Sequence, residues 1–193
     1  MKRLNIPPAI VDQTNLTDIL HSVDQLGTLT GHEKEAAALR KQMESRIEAV
    51  RRRTASLPHP RVLLSSGRDL KSESLNEVYI VGRRTFLGDL LRLAGGENAF
   101  IDESIEYPAL SAEAILRLNP EVIVEFTNDL AAMGITQEQV LRPWRALPGL
   151  TAADKGRIIA LDGAHLTIPG PRVMDTLEAL VEAIHPELRE AAS

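Results

Sequence analysis

From residue 61 onward, short apolar runs alternate with amphipathic segments, and this alternation constrains the fold more than any other feature of the sequence. The apolar runs predict strands at 61–66, 78–82, 120–126 and 156–161. The other segments predict helices at 86–94, 111–119, 136–155 (two helices and a turn) and 170–186. Strands that alternate with helices form a mostly parallel sheet covered on both faces. The sequence therefore predicts an α/β fold.

Residues before 61 predict one strand and two helices. The apolar run 9–12 follows two prolines and indicates a short buried strand. From Leu16 to Leu26, apolar residues recur at three- and four-residue spacing, which predicts a helix capped by Thr14 or Asn15. Residues 32–56 predict a long helix with a narrow apolar stripe, as in helices that lie on a surface or bridge two bodies.

Prolines and glycines mark the predicted helix ends. In the segment 136–155, Pro143 and Pro148 are expected to interrupt the helical pattern. The helix at 86–94 is followed by Gly95 and Gly96, and one of them is expected to adopt the left-handed conformation that ends helices.

Composition and motifs exclude several classes of function. The formal net charge of -5 argues against a general affinity for nucleic acid, which needs clustered Lys and Arg. The chain has no cysteine, and its five histidines lack the HxH or HxxxH spacing of metal sites. The motifs GxSxG, GxGxxG and GxxxxGK[ST] are also missing from the sequence. We therefore expect neither an enzyme nor a protein with a resident cofactor.

The sequence also indicates no membrane segment. No apolar run reaches the roughly 18 to 20 residues that a membrane-spanning helix needs. The start "MKRLNIPPAIVDQ" lacks the continuous apolar stretch of a signal peptide, so we expect no export signal in the chain as written.

Parallel sheets bind ligands beyond the carboxyl ends of their strands, which points here to the loops 66–76, 82–85, 126–135 and 162–170. In the second loop, Arg83 and Arg84 could bind a carboxylate or phosphate, or simply solvate the turn. His165 lies in the last loop. Among the aromatic residues, Tyr107 could stack on a flat ligand, and Trp144 could do the same or anchor a pair of helices.

Four stretches, taken together and in order, resemble a known family. They are "GDLLRLAGGENAF", "YPALSAEAILRLNPEVIV", "WRALPGLTAADKGRIIALDG" and "PGPRVMDTLEALVEAIHP". They are similar to the carboxy-terminal lobe of periplasmic substrate-binding proteins that deliver iron-siderophores, haem or vitamin B12 to ABC importers. The segment 32–56 resembles the rigid interlobe helix of that family, and the segment before it resembles the preceding stretch.

The resemblance implies a division of the chain. Residues 1–31 would be a remnant of the amino-terminal lobe, 32–57 the interlobe helix, and 58–193 a Rossmann-like carboxy-terminal α/β lobe. Part of the amino-terminal lobe, and with it half of the binding cleft, would be missing. A fragment, a gene start placed too late and a naturally truncated relative all fit this pattern.

The resemblance also assigns roles to residues. It implies ligand contacts by Arg83, Arg84, Tyr107, Asn128 and His165. Related B12-binding proteins have tryptophan where His165 stands, so the ligand need not be cobalamin.

A sixth residue, Glu113, would dock arginines on the importer's membrane subunits. The implied location is periplasmic, or extracellular and membrane-anchored. Two alternatives stay open. In the first, the chain is a truncated lobe that pairs through an open sheet edge, either with a second copy to form a homodimer or with another chain. In the second, it is a small enzyme, although no group of residues in the sequence supports this.

Overall fold

The computed structural model describes the backbone of residues 9–190 and the side chains of residues 9–188. The helices are α1 Leu16–Thr30, α2 Glu33–Thr54, α3 Phe86–Leu93, α4 Ala112–Leu118, α5 Leu130–Met133, α6 Gln137–Arg145, α7 Thr151–Asp154, α8 Val173–Ile184 and α9 Glu187–Glu190. The strands are β1 Arg61–Gly67, β2 Val78–Ile80, β3 Glu97–Asn98, β4 Ala109–Leu110, β5 Val122–Thr127 and β6 Ile158–Asp162.

Most predicted elements are confirmed, but the strand at 9–12 and the helix break at Pro143 are not. The run 9–12 forms no strand, and the described part of the chain offers it no neighbouring strand for a ladder. Helix α6 continues through Pro143, which has no N–H for the Gln139 carbonyl, and ends at Arg145. As expected, Gly95 ends the helix at 86–94 with a φ of 83°.

The strands form one sheet in the order β4-β2-β1-β5-β6, with β3 beside the start of β1. The neighbours β1, β5 and β6 are parallel, and Val62 of β1 lies opposite Val122 of β5. Strand β2 runs antiparallel to both β1 and β4. The mostly parallel sheet is confirmed, but β2 was predicted in the wrong direction.

The direction of β2 decides where the loops lie. We define the carboxyl edge as the edge at which β1, β5 and β6 end, and the amino edge as the edge at which they begin. Since β2 is antiparallel, its first residues lie at the carboxyl edge and its last residues at the amino edge. The loops 68–77, 128–129 and 163–172 therefore share the carboxyl edge, whereas the loop 81–85 lies at the amino edge.

Helices cover both faces of the sheet, as predicted. Side chains alternate between faces along each strand. On one face, Leu64 and Val124 pack with apolar residues of α1, α2, α3 and α8. On the other face, Leu63 and Ile123 pack with Trp144 and with apolar residues of α4 and α7.

The long helix α2 is held on two sides. Its buried residues Met43, Ile47 and Val50 share the apolar core with α1, α3 and α8. Exposed ion pairs join Arg46 to Asp175 and Arg53 to Glu178, both acidic residues being on α8 and both pairs 2.9 Å long. The predicted narrow stripe is thus the seam between α2 and three other helices.

Candidate functional site

Two adjoining cavities open at the carboxyl edge. A cavity of about 270 Å³ is lined by Ser66, Gly67, Arg68, Leu70, Phe126, Thr127, Asn128, Met133 and Thr167. A second cavity of about 680 Å³ is lined by Gly67, Arg68, Asp69, Ser72, Ser74, Asn76, Glu77 and Tyr79. Both cavities share Gly67 and Arg68, so the end of β1 forms the wall between them. We call this pair of cavities the carboxyl-edge site.

The turn after β5 presents Asn128 to this site. The next residue, Asp129, has a φ of 54°, and its carboxylate accepts a hydrogen bond from the Ala132 amide at 3.1 Å. Asp162, at the end of β6, accepts hydrogen bonds from the Thr127 hydroxyl at 3.0 Å and from the Leu130 amide at 3.3 Å. These bonds fix the backbone on both sides of Asn128, whose side chain stays exposed.

Tyr79 lines the larger cavity, although it was not among the ligand contacts predicted from the sequence. Its side chain alternates with buried Val78 and Ile80 and is 44% exposed. The hydroxyl donates a hydrogen bond to Glu77 at 3.0 Å, and this bond raises the pKa of Tyr79. Because neighbouring strand residues point to opposite faces, the run "VYI" could have predicted that Tyr79 points away from the core. Only the antiparallel direction of β2 places Tyr79 at the carboxyl edge.

His165 lies near the smaller cavity without lining it. The turn after β6 is anchored by buried Leu166, whose carbonyl accepts a hydrogen bond from Thr176 at 3.1 Å. Thr167, two residues beyond His165, forms part of the cavity wall. The imidazole is half-buried and packs beside Gly163, where a Cβ would lie 3.2 Å from Cε1.

Arg83 and Arg84 lie at the opposite edge, so their predicted position at the ligand edge is wrong. The cause is the antiparallel direction of β2, which carries the following loop to the amino edge. There the guanidinium of Arg83 donates to the Asn98 carbonyl at 3.4 Å and pairs with Glu97 at 3.8 Å. It lines a cavity of about 580 Å³ together with His59.

Tyr107 lies just before β4, level with Val81 and the middle of β1, and is separated from Asn128 by strands β2 and β1. The amide of Gly82 donates to the Glu106 carbonyl at 2.7 Å, which holds the segment before β4 against the loop 82–85. Burial raises the pKa of Tyr107, whereas a hydrogen bond with Thr85 lowers it. Of the five predicted ligand contacts, Asn128 and His165 therefore lie at the carboxyl edge, Arg83 and Arg84 lie at the amino edge, and Tyr107 lies between the two edges beside β2.

Trp144 is fully buried on α6, so it anchors the helix and is not available for stacking on a ligand. Its indole Nε1 donates a hydrogen bond to Glu125 Oε2 at 2.5 Å. The other carboxylate oxygen of Glu125 lies 2.9 Å from Arg68 Nε, and both charged side chains are shielded from solvent. Burial raises the pKa of Glu125, although Arg68 and Trp144 both lower it.

Glu113 is exposed in the first turn of α4, as predicted. Leu110 of β4 lies opposite Val78 of β2, so α4 begins at the carboxyl edge. The Ser111 side chain caps the helix through the Ala114 amide at 3.3 Å, which leaves the Glu113 carboxylate directed to solvent in the favourable field of a helix start.

The described residues contain neither a cluster of metal ligands nor a membrane-spanning helix. Within residues 9–188, no group of three or more histidine, aspartate or glutamate side chains could hold a metal ion. In the same part of the chain, none of the helices is both long enough and apolar enough to cross a bilayer.

Comparison with known proteins places this geometry in context. A cobalamin-binding protein of Halobacterium salinarum is 26% identical over 174 residues, which cover 89% of this chain and 45% of the relative. An uncharacterized ABC transporter substrate-binding lipoprotein of Bacillus subtilis, YvrC, is 25% identical over 181 residues, or 91% of this chain and 52% of the relative. The chain thus spans about half the length of the curated relatives it matches.

A solved structure shares the fold. The crystal structure of Staphylococcus aureus IsdE with heme superposes with a TM-score of 0.74 at 20% identity, covering 95% of this chain and 70% of the other. The sequence family described as periplasmic binding protein matches residues 2–164. With most of its length matched, this chain belongs to the periplasmic binding protein family.

Proposed function

We propose that the chain is the substrate-binding component of an ABC importer for an iron complex, either a ferric siderophore or haem, or for cobalamin. The observation that carries the proposal is the meeting of three loops around two adjoining cavities at the carboxyl edge. Ligands of parallel sheets bind at this edge. The names of the relatives, which refer to cobalamin binding and ABC transport, support the class of ligand.

We also propose the division of the chain that the resemblance to the family implies. Residues 1–31 would belong to the amino-terminal lobe, 32–57 to the interlobe helix, and 58–193 to the carboxy-terminal lobe, which carries the site. A pocket of this kind usually buries roughly 70 to 90% of its ligand, which needs two facing walls. The carboxyl-edge site provides one wall, so we expect it to bind its ligand more weakly alone than with a facing lobe.

Within the site, we propose that Asn128, Tyr79 and His165 contact the ligand. The Asn128 amide can donate and accept hydrogen bonds, and the exposed ring of Tyr79 can stack on a flat macrocycle. An imidazole, such as that of His165, is a common protein ligand of haem iron. Arg83 and Arg84 are left out of this site because they lie at the amino edge. Tyr107 stays a proposed contact, because it lies two residues before Ala109, which pairs with Tyr79.

For the partner, we propose that Glu113 pairs with arginines of the importer's membrane subunits. An exposed carboxylate at the start of a short helix is free to accept a bidentate guanidinium. Its place at the carboxyl edge would bring the ligand site towards the importer. The description of the Bacillus subtilis relative as a lipoprotein supports a location on the outer side of the cytoplasmic membrane.

The test is direct titration of the purified chain with three probes: haemin, cyanocobalamin and a ferric hydroxamate. Binding would be followed by absorbance and by calorimetry, with inorganic iron and free porphyrin as controls. We expect saturable binding of one probe. Failure of all three at millimolar concentration, by this chain and by a version fused to a complete amino-terminal lobe, would refute the proposal.

A second candidate is self-association, favoured by one exposed apolar group. Ile10 is 96% exposed, and Leu26 and Leu29 of α1 are 46% and 61% exposed. Clustered exposed apolar side chains mark interaction surfaces. Light scattering would distinguish the candidates, since a homodimer that dissociates on Leu29→Glu supports association, whereas a monomer at all concentrations excludes it.

A further inference from the structure

A buried ion pair lies directly beneath the carboxyl-edge site. Arg68 Nε is 2.9 Å from Glu125 Oε1, and the two side chains are 1% and 0% exposed. Burying two charges costs several kcal/mol, and apolar residues of similar volume often stabilise a fold equally well. Stability alone therefore does not account for this pair. Its other contacts join the loop 68–77, strand β5 and helix α6.

Arg68 binds its own loop and the neighbouring helix. One terminal nitrogen donates to the Val140 carbonyl of α6 at 2.8 Å. The other lies 3.3 Å from the carbonyls of Asp69 and Ser72, both in the loop after β1. A single guanidinium thus spans the loop 68–77 and α6, which a lysine could not do because it lacks the planar set of donors.

Glu125 attaches these contacts to the buried strand β5. It lies in the centre of the sheet on β5, three residues before Asn128. Oxygen Oε1 forms the ion pair with Arg68 Nε, and Oε2 accepts the indole N–H of Trp144 on α6 and lies 3.5 Å from a terminal nitrogen of Arg68. The strand that presents Asn128 is therefore connected to the loop and the helix through one buried carboxylate.

The same loop and helix are also joined at the surface. Arg142 of α6 forms an ion pair with Glu73, and both side chains are well exposed. Exposed pairs of this kind contribute little to stability, so this contact serves as a matched comparison for the buried one.

We propose that Arg68 and Glu125 are positioning residues of the ligand site, which hold the loop 68–77 against β5 and α6 so that both cavities keep their shape without ligand. The effect of this pair on ligand binding rests on the proposed function. The attachment of the loop 68–77 to β5 and α6 rests only on the contacts of Arg68 and Glu125. A wall that is ordered in advance avoids the entropy cost of ordering it on binding, and this increases affinity.

The experiment compares Arg68→Lys and Glu125→Gln with the surface control Arg142→Ala in the full chain. Amide hydrogen exchange would be measured residue by residue, together with the fluorescence of Trp144, the one tryptophan in the chain. We expect exchange in 69–76 to rise about tenfold or more in both buried variants, with less than about twofold change in β5 amides and in the control. The emission of Trp144 should shift in Glu125→Gln.

Three outcomes are informative. Loop exchange that stays at the wild-type rate, or that rises in parallel with β5, overturns the inference, because the pair would then be structural only. If the single variants fail to fold, the apolar double variant Arg68→Met/Glu125→Met is expected to fold and still show the faster loop exchange.

The affinity of the variants for the probes is the third measurement. With haemin or cyanocobalamin, the buried variants should lose about tenfold in affinity and Arg142→Ala less than twofold. If wild type binds neither these nor a ferric hydroxamate, the proposed function fails, while the exchange result still decides the positioning role.

Discussion

Trp144 donates its indole hydrogen bond to Glu125, with 2.5 Å between Nε1 and Oε2, so the single tryptophan of the chain contacts a buried carboxylate directly. Its fluorescence is therefore a local probe of the charge on Glu125. This relationship allows the pH dependence of stability to be assigned to one residue.

The first prediction concerns that pH dependence. Burial raises the pKa of Glu125 above its ordinary value of 4.5, so the protonated form is favoured more in the folded than in the unfolded chain. The resulting stabilisation is complete below the ordinary value and is lost as the pH rises through the raised pKa. Urea unfolding from pH 4 upward should show the stability of wild type falling relative to Glu125→Gln. A pH-independent difference would contradict the raised pKa.

The second prediction concerns Gly95, which ends α3. A Cβ there would lie 2.7 Å from His185 Nε2, at a φ of 83°. We expect Gly95→Ala to lower the free energy of unfolding by about 2–4 kcal/mol, since strain and a buried clash add. The control is Gly134→Ala, which has a similar φ of 67° but open space around it, and it should cost only about 1 kcal/mol. Equal losses at the two sites would show that the close approach to His185 has no effect.

The third prediction concerns Asp162, which ties the ends of β5 and β6 together. Asp162→Ala removes the acceptor for the Thr127 hydroxyl and the Leu130 amide, so we expect a loss of about 1–2 kcal/mol. Thermal unfolding measures this, with exposed Asp154→Ala on α7 as the comparison at less than about 0.5 kcal/mol. Because these bonds hold the turn that presents Asn128, probe affinity should fall as well; unchanged affinity would mean that the turn keeps its shape without them.

The fourth prediction separates the two edges of the sheet. Asn128→Ala and Tyr79→Ala at the carboxyl edge should each weaken binding of the active probe by about five- to tenfold, the equivalent of one lost contact. The double variant Arg83→Ala/Arg84→Ala at the amino edge should change it by less than about twofold. Calorimetry measures the affinity of each variant for the probe. A larger loss in the Arg83→Ala/Arg84→Ala variant than in the Asn128 and Tyr79 variants would place the ligand site at the amino edge.

The fifth prediction concerns Glu113 and uptake. Glu113→Lys should abolish uptake in cells that carry the importer, because it would repel the arginines proposed as partners, yet leave probe affinity intact. Glu103→Lys, an equal charge reversal in an exposed loop at the amino edge, should transport normally. Normal uptake by the Glu113 variant would remove this residue from the docking surface.

The sequence was sufficient for both layers and for most helices and strands, because apolar periodicity and alternation directly record burial, but it predicted a strand at 9–12 that does not form. It was insufficient for the direction of β2. A parallel crossover usually needs a dozen or more residues and a helix, whereas the polar link 68–77 contains neither. That shortness was a usable signal, and it would have placed Tyr79 at the carboxyl edge and Arg83 at the amino edge.

The pair beneath the site was hidden for a different reason. In "VIVEF", Glu125 is a charge within a buried strand and could have been noted as costly. Its partners, however, are 57 positions earlier and 19 positions later in the chain, at Arg68 and Trp144. Local periodicity cannot bring such distant side chains together; the parallel pairing of β1 with β5 and the packing of α6 do so.

Helix α2 has 22 residues, which at 1.5 Å each make a rod of about 33 Å. Its two pairs with α8, Arg46–Asp175 and Arg53–Glu178, lie at the surface, whereas its stripe of Met43, Ile47 and Val50 is dry. Dissolved salt screens exposed charges but not apolar contacts. The apolar contacts of α2 with α1, α3 and α8 are therefore expected to keep its orientation at low and at high salt concentration, whereas its ion pairs with α8 weaken as the salt concentration rises.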